Sequence, residues 1–213
     1  MSRPRDLPEE PDPVSLRRIE ALVAVARDFG QRGWTPATSG NYSVRLENGQ
    51  IAVTRSGADK RWLEPADLLL LDADGQPEPG VRASAETPLH LQIYRHRPRV
   101  KAVLHVHSPA VTVASRLAVG EGRIRLHNYE LLKALSGVDT HDIEISLPIV
   151  ANDQDMSRLA ASVEPLLAAD NPCPAYLIEG HGIYAWGDDV ADAARHLDAL
   201  EFLLNCHLLE RSA

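Results

Sequence analysis

An Asn-Gly turn between two apolar segments is the feature that most constrains the fold of this chain. The segments NYSVRL (41–46) and IAVT (51–54) have the composition of strands, and Asn48-Gly49 lies between them. Asn-Gly is strongly preferred in tight hairpins because both residues adopt left-handed backbone angles readily. The pattern therefore predicts an antiparallel strand pair, which argues against a purely parallel, doubly wound sheet.

The rest of the chain alternates between helical and extended patterns. Helices are predicted within 14–34 and over 86–97, 109–118, 129–135, 155–169 and 188–210. The apolar stripe of the first helix comprises Leu16, Ile19, Leu22, Val23, Ala26 and Phe29. Short apolar runs predict strands at 68–72, 101–106, 145–150 and 175–185. We expect an α/β sandwich with a central, largely antiparallel sheet flanked by helices, formed by a single domain (14–213) after a flexible N-terminal tail (1–13).

Composition argues against several function classes. The 213 residues carry a net charge of −8 with no block of Lys and Arg, which disfavours nucleic acid and anionic membranes as partners. Two cysteines, Cys173 and Cys206, are too few for a disulfide framework. The first residues are rich in acids and prolines, and no later run reaches membrane-spanning length. We therefore expect a cytoplasmic protein.

Two closely spaced histidines and a third one further along the chain are candidate metal ligands. His105 and His107 occur in VLHVHSPA, and in a strand residues two apart project to the same face. His181 lies between two glycines in GHG, after another apolar run. Taken singly, each histidine is also consistent with a structural role. Together they form a three-nitrogen set of the kind that leaves one coordination position of a metal open.

The other six histidines are expected to be structural or supporting. They lie on predicted helices or loops, without a comparable spacing. They are His90, His96, His127, His141, His196 and His207.

Two glutamates are candidates for proton transfer. Glu86 and Glu130 each open a predicted helix, a place where acids also occur for capping alone. Three small polar stretches are suited to holding a phosphate through hydroxyls and backbone N–H groups, although each is equally compatible with a turn. They are Thr38-Ser39-Gly40-Asn41, Ser56-Gly57 and Ser84. The phosphate-loop and dinucleotide motifs GxxxxGK[ST] and GxGxxG are absent from the sequence.

The motifs TSGN, SG, SAE, HVH and GHG occur in this order between residues 38 and 182. The ordered set resembles the class II, zinc-dependent aldolase family of the fuculose-phosphate aldolase type over nearly the whole chain after the tail. The resemblance implies a class II aldolase-like sandwich in which His105, His107 and His181 bind one Zn²⁺ per subunit. It implies an acid/base role for Glu86. It also implies a set of phosphate-binding residues: Ser39, Gly40, Asn41, Ser56, Gly57 and Ser84. Ala85 departs from the aldolase pattern, which tends to have a second serine there.

Longer segments resemble one branch of that family, whose members dehydrate a ketose 1-phosphate. The segments are TRSGADK (54–60), NYELLKALSG (128–137), LPIVANDQD (147–155), GHGIYAWG (180–187) and RHLDALEFLLNC (195–206). In that branch the acid/base residue is the glutamate of the segment that matches NYELLK. The resemblance therefore implies Glu130 as the leading catalytic residue, with Glu86 in support.

Other functions stay open at this point. A sugar-phosphate aldolase or epimerase would use the same fold and phosphate site, and Glu86 favours it. A non-catalytic interaction protein is the third hypothesis, although all three histidines are present. For an apolar substrate tail, the candidate contacts are Tyr129, Leu131 and Trp186.

The C-terminal helix has more apolar residues than one buried face requires. These residues are Leu197, Leu200, Phe202, Leu203, Leu204 and Leu208. The pattern favours packing against a second copy, and the resemblance implies a homo-oligomer, usually a tetramer, acting on a small-molecule substrate.

Overall fold

In the part of the chain that the structure describes, eight strands form one sheet in the order β3-β2-β1-β4-β8-β7-β6-β5. The structure is a computed structural model that describes residues 12–72, 75–77, 80–169 and 171–212. Neighbouring strands are antiparallel except for the β6–β7 pair. The strands are β1 (Asn41–Arg45), β2 (Ile51–Thr54), β3 (Leu68–Leu71), β4 (Ala102–Val106), β5 (Arg123–His127), β6 (Glu144–Val150), β7 (Ala175–Ile178) and β8 (Gly182–Gly187). The predicted, largely antiparallel sheet is confirmed.

Within the described residues, five α-helices flank this sheet: α1 (Pro13–Gln31), α2 (Thr87–His96), α3 (Pro109–Ala118), α4 (Met156–Ala168) and α5 (Val190–Arg211). Helix α1 begins sharply because the Asp12 side chain accepts hydrogen bonds from the backbone N–H groups of Val14 and Ser15. Residues 1–11 of the expected tail lie outside the described residues, and Pro13 already belongs to α1. None of the described helices is long and apolar enough to cross a membrane.

The helices form a layer on each face of the sheet. One apolar cluster joins the sheet to α1, α3 and α5, and a second joins it to α2 and α4. Strand β4 contributes to both, since Leu104 and Val106 belong to the first cluster and Val103 to the second. Alternation along the strand therefore directs His105 toward the α2 and α4 side.

Four details differ from the sequence-based predictions. Residues 129–135 do not form an α-helix, since this segment contains a short 3₁₀ helix, Glu130–Ala134. The predicted strand region 175–185 is a hairpin of two strands. Strand β5 was not predicted, and it includes His127, which was expected in a loop. Leu16, expected in the buried stripe of α1, is 45% exposed.

Candidate metal centre

Strand β4 delivers the first two histidines of the site. His105 is fully buried in the strand, and His107 follows directly after its last residue. The backbone N–H of His107 donates to the carbonyl of Trp34, which fixes the chain where the strand ends. Because Val106 points into the opposite cluster, the two imidazoles lie together, with ring centroids 4.6 Å apart.

The β7–β8 hairpin brings His181 to the same place. Gly180 adopts a left-handed conformation with φ of +60°, which turns the chain just before the histidine. A Cβ atom on Gly182 would lie closer than 3.0 Å to the carbonyl oxygen of Val106 and to the ring of His105. Glycine at 182 therefore permits the close approach of β8 to β4, which leaves the His181 ring 4.6 Å from the His107 ring.

Glu86, immediately before α2, completes a four-residue cluster. One ligand atom from each of Glu86, His105, His107 and His181 lies within 4.8 Å of the others. Nε2 of His105 is 2.8 Å from Nε2 of His107, and Glu86 Oε1 is 3.0 Å from Nε2 of His181. Three ring nitrogens and one carboxylate oxygen therefore converge on one small volume.

The protonation pattern of the cluster suits a divalent cation. Nδ1 of His105 lies 2.9 Å from the carbonyl oxygen of Ile183 and donates to it, so Nε2 is the ring nitrogen that faces the cluster. Burial and the neighbouring His105 and His181 rings lower the pKa of His107 to about 2, which keeps it neutral. Burial raises the pKa of Glu86, but His105 and His181 more than reverse this and hold it well below its ordinary value. Neutral imidazoles and an ionised carboxylate are the ligands that Zn²⁺ and similar ions take.

A polar cavity of about 310 Å³ adjoins the cluster, and His107 and Glu86 form part of its wall. All six residues proposed to bind phosphate line it: Ser39, Gly40, Asn41, Ser56, Gly57 and Ser84. The hydroxyl of Ser39 is buried and has no hydrogen-bond partner among the described residues. Ala37, Thr38 and Gly40 have positive φ angles, a backbone arrangement that can expose N–H groups to an anion.

Lys60 is a cavity residue that the sequence reasoning missed. Its side chain is almost fully buried, and Nζ donates to the carbonyl of Thr38 at 2.8 Å. Burial lowers the pKa of Lys60 to about 8, so the group remains mostly a cation at neutral pH. A sequence signal existed, because Lys60 is the last residue of TRSGADK, which contains the Ser56-Gly57 pair. Because most lysines are exposed, the position of Lys60 near Ser56-Gly57 did not by itself identify it as a cavity residue.

Glu130 is not part of the cluster. Its side chain is 73% exposed and pairs with Lys133 and His141. Strand β5, which leads into this segment, is four strands away from β4 in the sheet order. Within one chain, therefore, the carboxylate beside the histidines is that of Glu86.

The three candidates for an apolar substrate contact also lie away from the cavity wall. Trp186 pairs with Val103 two residues before His105, and lines a separate cavity together with His196. Tyr129 and Leu131 flank Glu130 on the 3₁₀ segment.

Of the other histidines, His90 and His196 are buried and hydrogen-bonded. His96 pairs with Glu164 on α4, and His141 lies near Glu130. His127 is exposed, and His207 is partly buried near the end of α5. None of these six belongs to the cluster.

Comparisons with known proteins identify the family of the chain. The class II aldolase and adducin N-terminal domain family matches residues 20–208. A methylthioribulose-1-phosphate dehydratase of Xanthomonas campestris is 51% identical over 204 residues, which cover 93% of each chain. The protein of the same name from Parvibaculum lavamentivorans is 50% identical over 194 residues, covering 91% of this chain and 94% of the relative.

Among solved structures, the L-fuculose-1-phosphate aldolase of Thermus thermophilus has a TM-score of 0.73 with 27% identity, covering 92% of this chain and 96% of the other. YgbL of Escherichia coli gives a TM-score of 0.76 with 28% identity, over 92% and 90% of the two chains. The sequence match and the fold thus indicate the same protein family. The chain belongs to the class II aldolase and adducin N-terminal domain family.

Proposed function

We propose that this chain is a lyase that dehydrates 5-methylthioribulose 1-phosphate to 2,3-diketo-5-methylthiopentyl 1-phosphate in methionine salvage. The observation that carries the proposal is the cluster of three imidazoles and a carboxylate beside a polar cavity of about 310 Å³. The curated relatives named for this activity, which match at about half identity over most of the chain, support it.

The proposed cofactor is one Zn²⁺ per subunit, held by His105, His107 and His181. When bound, such an ion supplies Lewis-acid polarisation of the substrate oxygens and stabilises developing negative charge. The chain itself contributes the orientation of the ligands, since the bond from His105 to Ile183 fixes one tautomer and one ring position.

The proposed phosphate site is the polar end of the cavity. Hydroxyls and backbone N–H groups of Ser39, Gly40, Asn41, Ser56, Gly57 and Ser84 would hold the phosphate oxygens. The ammonium of Lys60 lies in the same wall and offers the positive charge that neutral donors lack.

The proton transfers of the proposed reaction need a carboxylate. A base removes the C3 proton of the substrate, and the electron pair enters an enediolate with C2. The C4 hydroxyl then leaves as water with a proton from a carboxylic acid, and the resulting enol tautomerises to the diketone. We assign the leading acid/base role to Glu130 and a supporting one to Glu86.

Because Glu130 is exposed and lies outside its own chain's cluster, its proposed role requires a second copy of the chain. We therefore propose a homo-oligomer, a tetramer by family likeness, in which Glu130 of one subunit serves the cluster of another. Phe202 and Leu209 of α5 are exposed apolar residues that such an assembly could cover. We propose a cytoplasmic location for this assembly.

A class II sugar-phosphate aldolase or epimerase is the second candidate. It is favoured by one observation, that the carboxylate inside the cluster is Glu86, which matches the acid/base glutamate of the aldolases. The shape likeness to L-fuculose-1-phosphate aldolase is consistent with it.

Incubation with 5-methylthioribulose 1-phosphate, followed by product identification by mass spectrometry, tests the proposal. The expected product has lost one water and has kept its carbon chain intact. Dihydroxyacetone phosphate and an aldehyde would instead establish the aldolase activity. In the same assay, Glu130→Gln should keep its metal and its fold but lose most of the turnover, and wild-type turnover by this variant would remove Glu130 from the mechanism.

A further inference from the structure

A chain of buried hydrogen bonds leads away from Glu86 into the layer beneath α2. Oε2 of Glu86 accepts from Nδ2 of Asn41 at 2.6 Å, and Oδ1 of Asn41 contacts Nε2 of His90. Nδ1 of His90 is 2.7 Å from Oγ of Ser43, which is 2.9 Å from the hydroxyl of Tyr94. Asn41, Ser43, His90 and Tyr94 are each less than 5% exposed. The four side chains form a hydrogen-bonded relay that ends at Glu86, a member of the histidine cluster.

The orientation of the Asn41 amide in this relay is determined by its neighbours. Nδ2 also contacts Oγ of Ser84, and a flipped amide would place its oxygen against the carboxylate oxygen of Glu86. Two acceptors at 2.6 Å repel each other, so the N–H group must face Glu86. Oδ1 of Asn41 therefore faces His90 and can only accept.

This orientation selects one tautomer of His90. Nε2 must carry the proton in order to donate to Asn41, and burial lowers the pKa of His90 to about 3, so the ring is neutral. Nδ1 is then an acceptor for the Ser43 hydroxyl, and Ser43 in turn accepts from Tyr94. Every proton in the relay points toward Glu86, an arrangement in which successive hydrogen bonds polarise one another.

We propose that His90 is a positioning residue that, through Asn41, holds one oxygen of Glu86 so that the other faces the histidine cluster. Oε2 is occupied by Asn41, while Oε1 is the oxygen that lies 3.0 Å from His181 and 3.6 Å from His105. Without the donor at Nε2 of His90, Oδ1 of Asn41 loses its buried partner, so the amide can rotate away from Glu86 and the carboxylate loses its fixed rotamer. The effect on turnover rests on the proposed function, whereas the effect on Glu86 geometry does not.

The first test is independent of activity. Imidazole ¹⁵N shifts in the purified, metal-loaded protein should show His90 as the neutral Nε2–H tautomer, with Nδ1 hydrogen-bonded. His90→Phe identifies the signal, because this variant lacks it and keeps an aromatic ring against Tyr184. An Nδ1–H tautomer, or a charged ring at neutral pH, would overturn the relay even if the protein has a different substrate.

The second test separates positioning from a merely structural role. His90→Phe should lower kcat about 10- to 100-fold with KM nearly unchanged, the usual range for residues that orient a metal site through another group. His90→Gln, which can place an N–H group near the position of Nε2, should recover most of that loss. His96→Gln is the matched control, since His96 lies on the same helix and pairs with Glu164 on the surface.

Equal kcat for wild type and His90→Phe would overturn the proposal, as would a His90→Gln variant no better than His90→Phe. If His90→Phe does not fold, His90→Gln identifies the His90 signal instead, and the tautomer measurement decides the matter. If wild-type protein does not turn over 5-methylthioribulose 1-phosphate, the proposed function fails, and the tautomer measurement continues to test the relay.

Discussion

At the residue scale, the charge of the cavity depends on Lys60. A lysine ammonium has three donors, and among the described residues Nζ makes one hydrogen bond, to Thr38. Burial disfavours the cation and lowers its pKa to about 8, while the charges of Asp59 and Glu86 partly oppose that shift. A phosphate would provide the missing acceptors and the opposite charge.

We therefore expect Lys60→Met to weaken binding of inorganic phosphate and to raise KM for a phosphorylated substrate, each by about 10-fold or more, the usual cost of losing a charge-assisted hydrogen bond. Isothermal titration calorimetry measures the first effect and steady-state kinetics the second. Lys101→Met, at the opposite end of β4, is the matched control and should bind phosphate normally. Unchanged phosphate affinity in Lys60→Met would exclude Lys60 from the site.

The lowered pKa also predicts a pH dependence. The Lys60 cation is present below about pH 8 and is lost above it. Phosphate affinity should therefore fall as the pH rises through about 8, and this step should be missing in Lys60→Met. Titrations between pH 6.5 and 9.5, roughly the range over which such a group changes charge, test this sign. An affinity that rises with pH over that range would contradict it.

The sequence predicted single residues unequally well. His105, His107 and His181 could be singled out because strand alternation and flanking glycines are local signals. Lys60 and the His90 relay could not be singled out in this way. Lys60 matters because it is buried, and His90 matters because it contacts Asn41, more than forty residues away in the sequence. Tertiary contacts of that kind leave no periodic signal in the sequence.

At the element scale, the close contact of β4 and β8 builds the site. Gly182 faces the backbone of Val106 and the ring of His105 with no room for a methyl group. The register that pairs His105 with Tyr184 also stacks the two rings at 4.0 Å. The position of the histidines thus depends on an approach that only glycine allows.

Gly182→Ala should therefore destabilise the protein by about 1–3 kcal/mol and lower its metal content, because the new methyl group must displace β8 from β4. Chemical denaturation and elemental analysis measure the two effects. Gly120→Ala is the control, since a Cβ there meets nothing within 4 Å. A Gly182→Ala protein with wild-type stability and metal content would show that the contact is not needed.

Helices and strands with a clear turn motif or apolar spacing could be predicted from the sequence. Elements whose form depends on the surrounding structure could not. The hairpin at Asn48-Gly49 and helices α1 and α5 follow from turn chemistry and apolar spacing. The segment 129–135 has helical spacing, but it is short and is followed by Gly137 with a φ of +80°, so only a 3₁₀ helix forms. Strand β5 alternates buried and exposed residues, but it is only five residues long and offers just two apolar positions, Ile124 and Leu126, as a signal.

At the scale of the whole molecule, one chain does not contain both proposed catalytic carboxylates at its cluster. Glu86 lies beside the histidines, and Glu130 is on the surface near Lys133. The sequence could associate both with catalysis by family likeness, but it could not predict that they lie apart, because their separation is set by the order of strands. Both carboxylates can serve one site if the chains form an oligomer in which Glu130 of one subunit lies at the cluster of another.

Co-expression of two inactive variants tests this sharing. If Glu130 serves a neighbouring subunit, mixed oligomers of Glu130→Gln and His107→Ala should recover roughly a quarter of wild-type activity, since random assembly pairs two intact halves at about that frequency. Each variant alone should remain nearly inactive. Mixed oligomers without any recovery would contradict a site shared between subunits.

The central claim is that His105, His107 and His181 hold one divalent metal ion. Elemental analysis of gently purified protein measures this directly, with His107→Ala and His181→Ala as variants and His96→Ala as a control outside the cluster. The prediction is one divalent ion per chain, zinc above all, in wild type and His96→Ala, and almost none in the two cluster variants. A metal content that is the same in all four proteins would contradict the claim, and with it both enzymatic functions considered for this chain.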